Sequence, residues 1–355
     1  MNQDKLPIAV QFKPYYVELE AGKSYLWCSC GKSQTQPFCD GSHKGSGLMP
    51  MRYVAKFAGE EVLFCGCKQS KNKPFCDGTH NSLITRYADD DPLSTSNRLI
   101  PQIAAEADGK ARLDGNCLVC DMRSTAPLLT TDFSCVEIVG SADGAVHQSL
   151  FLVEIGSVES PSMTFGECEV VLTVVSGGGT IVISGLPFEI NKDTGIYIRP
   201  NEVFSFQCET AESLRCFTSV SPLFTGAPAF VPMRNNFDER HPERIARIDP
   251  AQRQVMAERF FQMMVDGRHG SEIITQFIGE IPLSKAAPHR HLYEEVLMVM
   301  RGSGMMWTEN VKTIVNTGDI IFLPRKQLHS LESTDPEGML VAGVICPGNN
   351  PSINY

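Results

Sequence analysis

The stretch PHRHLYEEVLMVMRG, residues 288–302, decides how the C-terminal half of the chain folds. From Glu295 to Met300 it is a short apolar run, and Gly302 follows, which reads as a buried strand and a turn. Ahead of the run, His289 and His291 stand two residues apart. Side chains alternate along extended backbone, so both imidazoles fall on one face, with Glu295 close behind. Downstream, Gly318, Pro324 and His329 mark a second turn and strand that must bring His329 back to the first. Three imidazoles and a carboxylate converging inside a barrel suit a borderline divalent metal with open coordination positions.

Outward from this stretch, β patterning continues in Ile273–Ile278, Met305–Thr308, Lys312–Val315, Ile320–Leu323 and Leu340–Val344. A second set lies upstream, in Val170–Val175, Ile181–Ser184, Ile196–Arg199 and Val203–Gln207. Gly and Pro punctuate both sets, as expected of an all-β barrel or sandwich. Between them, Asp249–Asp266 reads as a helix. Asp249 can cap it, Pro250 fits its first position, and Val255, Met256, Phe260, Met263 and Met264 recur at helical spacing before Gly267. Residues 89–134 read as a linker that opens on Asp89-Asp90-Asp91-Pro92, with a short helix near Ile103–Ala107.

The N-terminal segment has a different logic. Cys28, Cys30, Cys39 and His43 recur as Cys65, Cys67, Cys76 and His80, each displaced by 37 residues. A constant offset means one small unit duplicated. Residues 1–88 offer few long apolar runs, so a metal staple is expected to hold them. Three thiolates and one imidazole can serve either one tetrahedral ion such as zinc or a [2Fe–2S] cluster. Both copies also carry a serine (Ser33, Ser70) three residues after the second cysteine, and Pro-Phe-Cys-Asp-Gly-Ser/Thr-His at Pro37–His43 and Pro74–His80. Asp40 and Asp77 are candidates either to orient ligands or to act as solvated turn carboxylates.

Composition narrows the function classes. The chain has 355 residues, enough for two or three domains, and 42% apolar with 20% charged residues is an ordinary globular mix. Its formal charge of −10 argues against nucleic acid as a partner. No window of 18 apolar residues predicts a membrane span, and MNQDKLPIAV lacks the basic opening of a secretory signal. Thirteen cysteines without such a signal point to metal or redox use in a reducing compartment, hence a cytoplasmic expectation. Cys117 and Cys120 form a Cys-x2-Cys pair that reads as plain core thiols in preference to a redox pair, and Cys135, Cys168, Cys208, Cys216 and Cys346 read as core.

Both repeats resemble the CDGSH, or mitoNEET-type, iron–sulfur domain. That resemblance implies two [2Fe–2S] clusters, one held by Cys28, Cys30, Cys39 and His43 and the other by Cys65, Cys67, Cys76 and His80. It also implies that two motifs paired between chains in the family are paired within this one. The stretch from His289 resembles the first motif of the cupin superfamily, His-x-His-x3-Glu-x6-Gly, and Gly318, Pro324 and His329 the second. Lys326 and Leu283 stand where the family has glycines. The resemblance implies that His289, His291, Glu295 and His329 bind one mononuclear divalent metal, iron first, with manganese, nickel or zinc as alternatives. Aligning the upstream β unit puts Thr164, Gly166, Val170 and Ser205 at those four places, which predicts a barrel without metal ligands.

The expected architecture is mainly β: a tandem CDGSH domain (1–88), a linker (89–134), a degenerate cupin barrel (135–228), then a helix with a metal-binding cupin barrel (229–355). The expected function is a non-haem iron oxygenase acting on a small organic substrate with O2, the clusters relaying electrons to the metal. No Gly-rich dinucleotide fingerprint is present, so an external reductase or ferredoxin is the expected donor. A homodimer is the default assembly. Two alternatives stand beside it: a cupin dioxygenase, decarboxylase or isomerase with structural or regulatory clusters, and a non-enzymatic redox sensor with an effector-binding cupin. Arg301, Arg325, Gln276, Tyr293 and Trp307 are candidate pocket residues.

Overall fold

The computed structural model describes residues 7–85, 90–122, 133–156, 159–208, 213–256 and 258–355. It divides into two compact units: residues 1–87 with 255–258 and 350–355, and residues 88–254 with 259–349. The 88/89 boundary expected from the sequence, Asp89 included, lies outside the described residues.

In the smaller unit the two repeats exchange strands. Tyr15–Leu19 pairs antiparallel with Glu60–Phe64, and Ser24–Trp27 pairs with Met51–Val54. Each repeat therefore contributes one strand to each pair, and neither is complete alone. Trp27 and Phe64, equivalent across the 37-residue offset, are fully buried at the centre with Leu19 and Val62. Phe38 and Phe75 pack around them, with Phe64 and Phe75 stacked at 5.8 Å. The core is small, as the sparse apolar runs predict. Asn350–Tyr355 joins it: Asn81 Nδ2 donates to the Ser352 carbonyl, and Tyr355 stacks on Tyr16 at 4.9 Å.

The larger unit is two β-barrels. One sheet of the first runs Ile245–Ala246, Gly195–Ile198, Glu169–Ser176, Leu214–Ser221, Ser149–Ile155, Phe133–Val139; its other sheet runs Leu186–Ile190, Gly179–Ile183, Phe204–Cys208, Met163–Thr164, Ala229–Phe230. The second barrel sets Arg259–Val265, Thr275–Ile281, Met339–Cys346, Glu294–Arg301 and Ile320–Leu323 side by side, opposite a sheet of Ser284–Lys285, Ser330–Ser333, Ser303–Trp307 and Lys312–Asn316.

Strand period sorts the side chains between two cores. Along Ser149–Ile155, Phe151, Val153 and Ile155 enter the first barrel's interior, while Leu150 and Leu152 enter a second core shared with Val296, Met298, Ile320 and Phe322 of the other barrel. These strands are buried on both faces, so they read as continuous apolar runs. Each fully buried aliphatic side chain contributes about 1.5–3 kcal/mol.

Four sequence expectations fail here. Asp249–Asp266 is not a helix. Asp249 caps only one 3-10 turn, Pro250–Gln252, and Arg259–Val265 is a strand paired with Thr275–Ile281, bulged between Met263 and Val265. The bulge shifts the burial phase and imitates a helical spacing. Ile103–Ala107 is not helical either; the short helix is Thr95–Leu99, capped by Ser94. Finally, part of the expected linker is structural. Lys110–Arg112 and Leu118–Cys120 extend the second barrel's sheet beyond Ile320–Leu323. Likewise the first barrel does not stop at residue 228, since Ala229–Phe230 and Ile245–Ala246 pair into its two sheets. Polar, Gly-rich turns between short strands hide such pieces from a composition reading. Among the described residues, no helix is long and apolar enough to cross a membrane.

Candidate metal and cluster sites

In the second barrel the sequence brings three of the four candidates, His291, Glu295 and His329, within ligand reach of one another, with His289 beside His329. His289 and His329 face each other across a two-way backbone bridge, His289 N to His329 O at 3.0 Å and His329 N to His289 O at 3.1 Å. Their rings lie 4.4 Å apart, and those of His291 and His329 4.9 Å apart. Glu295 arrives from the strand after His291. Val296 and Met298 turn to the shared core, so Glu295 turns into the barrel. Among the described residues, the only three or more ligand atoms within 4.8 Å of one another are those of His291, Glu295 and His329.

The imidazoles are oriented by one device used three times. Nδ1 of His289 bonds the Ala287 carbonyl at 2.9 Å, Nδ1 of His291 the Tyr293 carbonyl at 2.7 Å, and Nδ1 of His329 the Gln327 carbonyl at 2.9 Å. A carbonyl only accepts, so each Nδ1 carries the proton and each Nε2 presents a lone pair. Burial pushes His289 down to about 4 and His329 well below the usual imidazole range. Tyr293 stacks on His291 at 4.1 Å and fixes its plane.

His291 Nε2 lies 3.1 Å from Glu295 Oε2 and is buried without a hydrogen bond. Two lone-pair atoms face each other there in a low-dielectric site, an arrangement that a divalent cation relieves. The donor set, three neutral nitrogens and one carboxylate, fits such an ion.

Beside His329 a cavity of about 180 Å³ is lined by Pro288, Trp307, Leu328, Asn97 and Lys285. Lys285 is buried, paired with Asp90 at 2.5 Å, and stands 4.9 Å over Trp307; sequence reasoning passed over it because its partner is 195 residues away. Of the candidate pocket residues only Trp307 lines this cavity. Gln276 bonds Thr173 at 2.8 Å, Arg301 is exposed, and Arg325 donates to the Leu292 carbonyl. Lys326, where the motif has glycine, takes a φ of 65°, and its N–H bonds the His291 carbonyl at 2.9 Å. The turn geometry survives with a side chain in the left-handed region, at about 1 kcal/mol of strain. Leu283, in the other glycine's place, is exposed.

Among the described residues, the first barrel groups no three such ligand atoms, and the residues at the corresponding places differ from three of the four expected. The ladder pairs Met163 with Phe204, as His289 pairs with His329. Inward-facing Phe165 stacks with Phe204 at 6.4 Å, and Val170 completes the group, all within the apolar core. Thr164, Gly166 and Ser205 are each one residue out of register, the error that sends a side chain to the opposite face.

In the smaller unit the eight candidate ligands come in pairs. Cys28 and Cys30 have sulfurs 3.8 Å apart, and Cys39 Sγ lies 3.1 Å from His43 Nδ1. In the second motif Cys65 and Cys67 are 3.5 Å apart, and Cys76 lies 3.5 Å from His80 Nδ1. Each motif thus gathers three sulfurs and one imidazole, a donor set that fits a metal ion or an iron–sulfur cluster. Backbone N–H groups point at the sulfurs: Lys32 N at Cys30 and Gly41 N at Cys39. The copies differ in exposure. His80 is buried, which pulls its pKa down to about 4, while His43 is half-buried. The carboxylates of Asp40 and Asp77 bond the backbone of their own loops, and Asp77 acts on Cys76 and His80 through its charge. Asp40 accepts from Gln34 N and Ser42 N, and Asp77 from Lys71 N and Thr79 N, tying down the loop between ligand pairs.

Cys117 and Cys120 are buried thiols, and burial pushes Cys120 up to about 12, which suits core packing. Cys208, Cys216 and Cys346 are also buried, and Cys135 and Cys168 partly so.

A family model described as "Iron-binding zinc finger CDGSH type" matches residues 7–44 and 50–81, and one described as "Cupin domain" matches residues 281–345. The chain carries a two-motif CDGSH domain and a cupin domain. The CDGSH domain is similar to the mouse protein "CDGSH iron-sulfur domain-containing protein 3, mitochondrial", 50% identical over 52 residues, 14% of this chain and 38% of that one. The human protein of that name is 56% identical over 45 residues, 12% of this chain and 35% of its own. The chain thus spans little more than a third of these relatives. The cupin barrels share their fold with a salicylate 1,2-dioxygenase variant from Pseudoaminobacter salicylatoxidans in complex with gentisate, at TM-score 0.54 and 13% identity, over 72% of this chain and 87% of that one. They share it also with protein Ylba from E. coli, at TM-score 0.50 and 16% identity, over 69% and 96%.

Proposed function

We infer that the chain is a non-haem iron-dependent oxygenase acting on a small organic substrate, with two [2Fe–2S] clusters relaying electrons to one mononuclear metal. The observation that supports the metal centre best is the set of Nε2 lone pairs facing a carboxylate inside the barrel, every Nδ1 already committed to a carbonyl. When bound, the iron supplies O2 activation, and each cluster supplies one electron.

The protein's own residues hold and orient. His289, His291, Glu295 and His329 bind the ion and leave positions for O2 and substrate. The three carbonyls and the Tyr293 ring keep the imidazoles in place. Trp307, Pro288 and Leu328 form an apolar wall beside His329 that takes a small, flat substrate and excludes water. The gentisate in the fold neighbour makes hydroxylated aromatic acids the first compounds to try. An external reductase or ferredoxin recharges the clusters.

The test is to reduce the clusters without O2, then add O2 with and without candidate substrates. Faster cluster reoxidation with a substrate, matched by hydroxylated product, is expected. Reoxidation at one rate throughout would sink the relay.

A second reading drops the relay: among the described residues the clustered ligand candidates His291, Glu295 and His329 all belong to the cupin domain. A dioxygenase needs no external electrons. Turnover that survives Cys39→Ala and Cys76→Ala would favour it.

A further inference from the structure

Lys68 breaks the symmetry of the CDGSH domain. It directly follows Cys67, and the equivalent residue of the first motif is Gly31. A side chain is barred at Gly31, where φ is 81° and a Cβ would lie 2.0 Å from the Ile8 carbonyl oxygen. Lys68 has a φ of 64°, a strained backbone for a residue with a side chain. Its side chain is nevertheless fully buried, at 0% exposure.

Burial pulls the Lys68 pKa down, and the groups around the ammonium work against that shift. The ammonium donates to Gln36 Oε1 at 2.8 Å and to the Cys65 carbonyl at 3.2 Å, two oxygens that only accept. It stands 4.7 Å over Trp27 and 5.7 Å over Tyr15. Gln36 belongs to the first motif, and its side chain hydrogen-bonds the Cys28 thiolate. Cys65 is a ligand candidate of the second. One buried charge therefore touches both motifs, and the thiolates of Cys28, Cys65, Cys30 and Cys67 all act on it. No carboxylate is among its hydrogen-bond partners here.

We propose that Lys68 is a counter-cation shared by the two cluster sites, raising the reduction potential of both. The inference rests on the reading that each motif holds a [2Fe–2S] cluster. Each reduction adds one electron to a cluster, and a fixed positive charge in a low-dielectric surrounding stabilises the reduced form. The two acceptor oxygens and the two aromatic faces hold that charge in place, and only the electron moves in the step.

The experiment is a potentiometric titration of the purified full chain, followed by absorption and spin resonance, for wild type, Lys68→Met and Lys68→Arg. Both midpoint potentials are expected to move negative in Lys68→Met and to stay near wild type in Lys68→Arg. If Lys68→Met does not assemble clusters, Lys68→Gln, also neutral, is read the same way. Potentials that do not move, a shift in one cluster alone, or equal shifts with Met and Arg would overturn the shared role and leave the cluster reading intact. A wild-type chain without sulfide or cluster absorption would overturn both.

Discussion

Glu294 and Glu295 are neighbours with opposite tasks. Glu295 turns into the barrel towards the histidines. Glu294 turns out and accepts from the backbone N–H groups of Val146, His147 and Gln148 in the other barrel. Hydrogen bonds to a buried carboxylate contribute about 1.5–3 kcal/mol each, so Glu294→Ala is expected to cost about 3 kcal/mol or more. Denaturant unfolding should show that loss. Glu295→Ala should leave stability of the metal-free chain nearly unchanged while iron analysis shows one metal fewer per chain. The reverse pattern would mean the two roles are assigned the wrong way round. The histidines also make the metal-free fold sensitive to acid. His289, held at about 4 against 6.5 in unfolded chain, binds its proton less readily when folded, and His329 shifts the same way. Stability from these groups is complete above about 6.5 and lost as pH falls towards 4. Thermal midpoints of the metal-free chain should fall across that window, and the His289→Gln, His329→Gln double variant should flatten the fall.

At the scale of elements, the strand Leu118–Cys120, flanked by Ile320–Leu323 and Lys110–Arg112, is the sharpest test of where the cupin domain begins. All three of its residues are buried, at 2–3% exposure. A chain shortened to start after Cys120 would bare the edge of Ile320–Leu323 and its apolar neighbours. It is expected to aggregate, as light scattering would show, whereas a chain starting at Asp90 should stay monodisperse. Equal behaviour of the two would return residues 110–120 to the status of linker. The same scale shows what the sequence could and could not disclose. The candidate ligand positions stand out in the sequence because His-x-His and the 37-residue offset are simple patterns tied to strand period and duplication. Arg259–Val265 was misread because Phe260, Met263 and Met264 satisfy a helical spacing once a bulge enters a strand. The first barrel is misaligned by one residue at Thr164 and Gly166 because its register is carried over from the run Glu169–Gly177, and the connection ahead of that run differs in length from its counterpart ahead of Glu294. Nothing local says that Met163 and Phe204 are the inward pair. Lys285 and Lys68 escaped notice since their partners, Asp90 and Gln36, lie far off in sequence.

Taken as a whole, the larger unit is a pair of barrels that complete one another. Glu169 of the first accepts from the N–H groups of Glu272, Ile273 and Ile274 and from Ser271 Oγ of the second. Glu294 of the second does the same for residues 146–148 of the first. The two carboxylates hold corresponding places in the two barrels. Each half thus supplies the other's missing cap, and the partner of the Glu294 lock sits one residue before a metal-ligand candidate. The apolar barrel is therefore not dispensable to the other. Damage to the loop at residues 146–148 would be felt as a misplaced Glu295. Neither half of this unit can be trimmed or transplanted without its sibling.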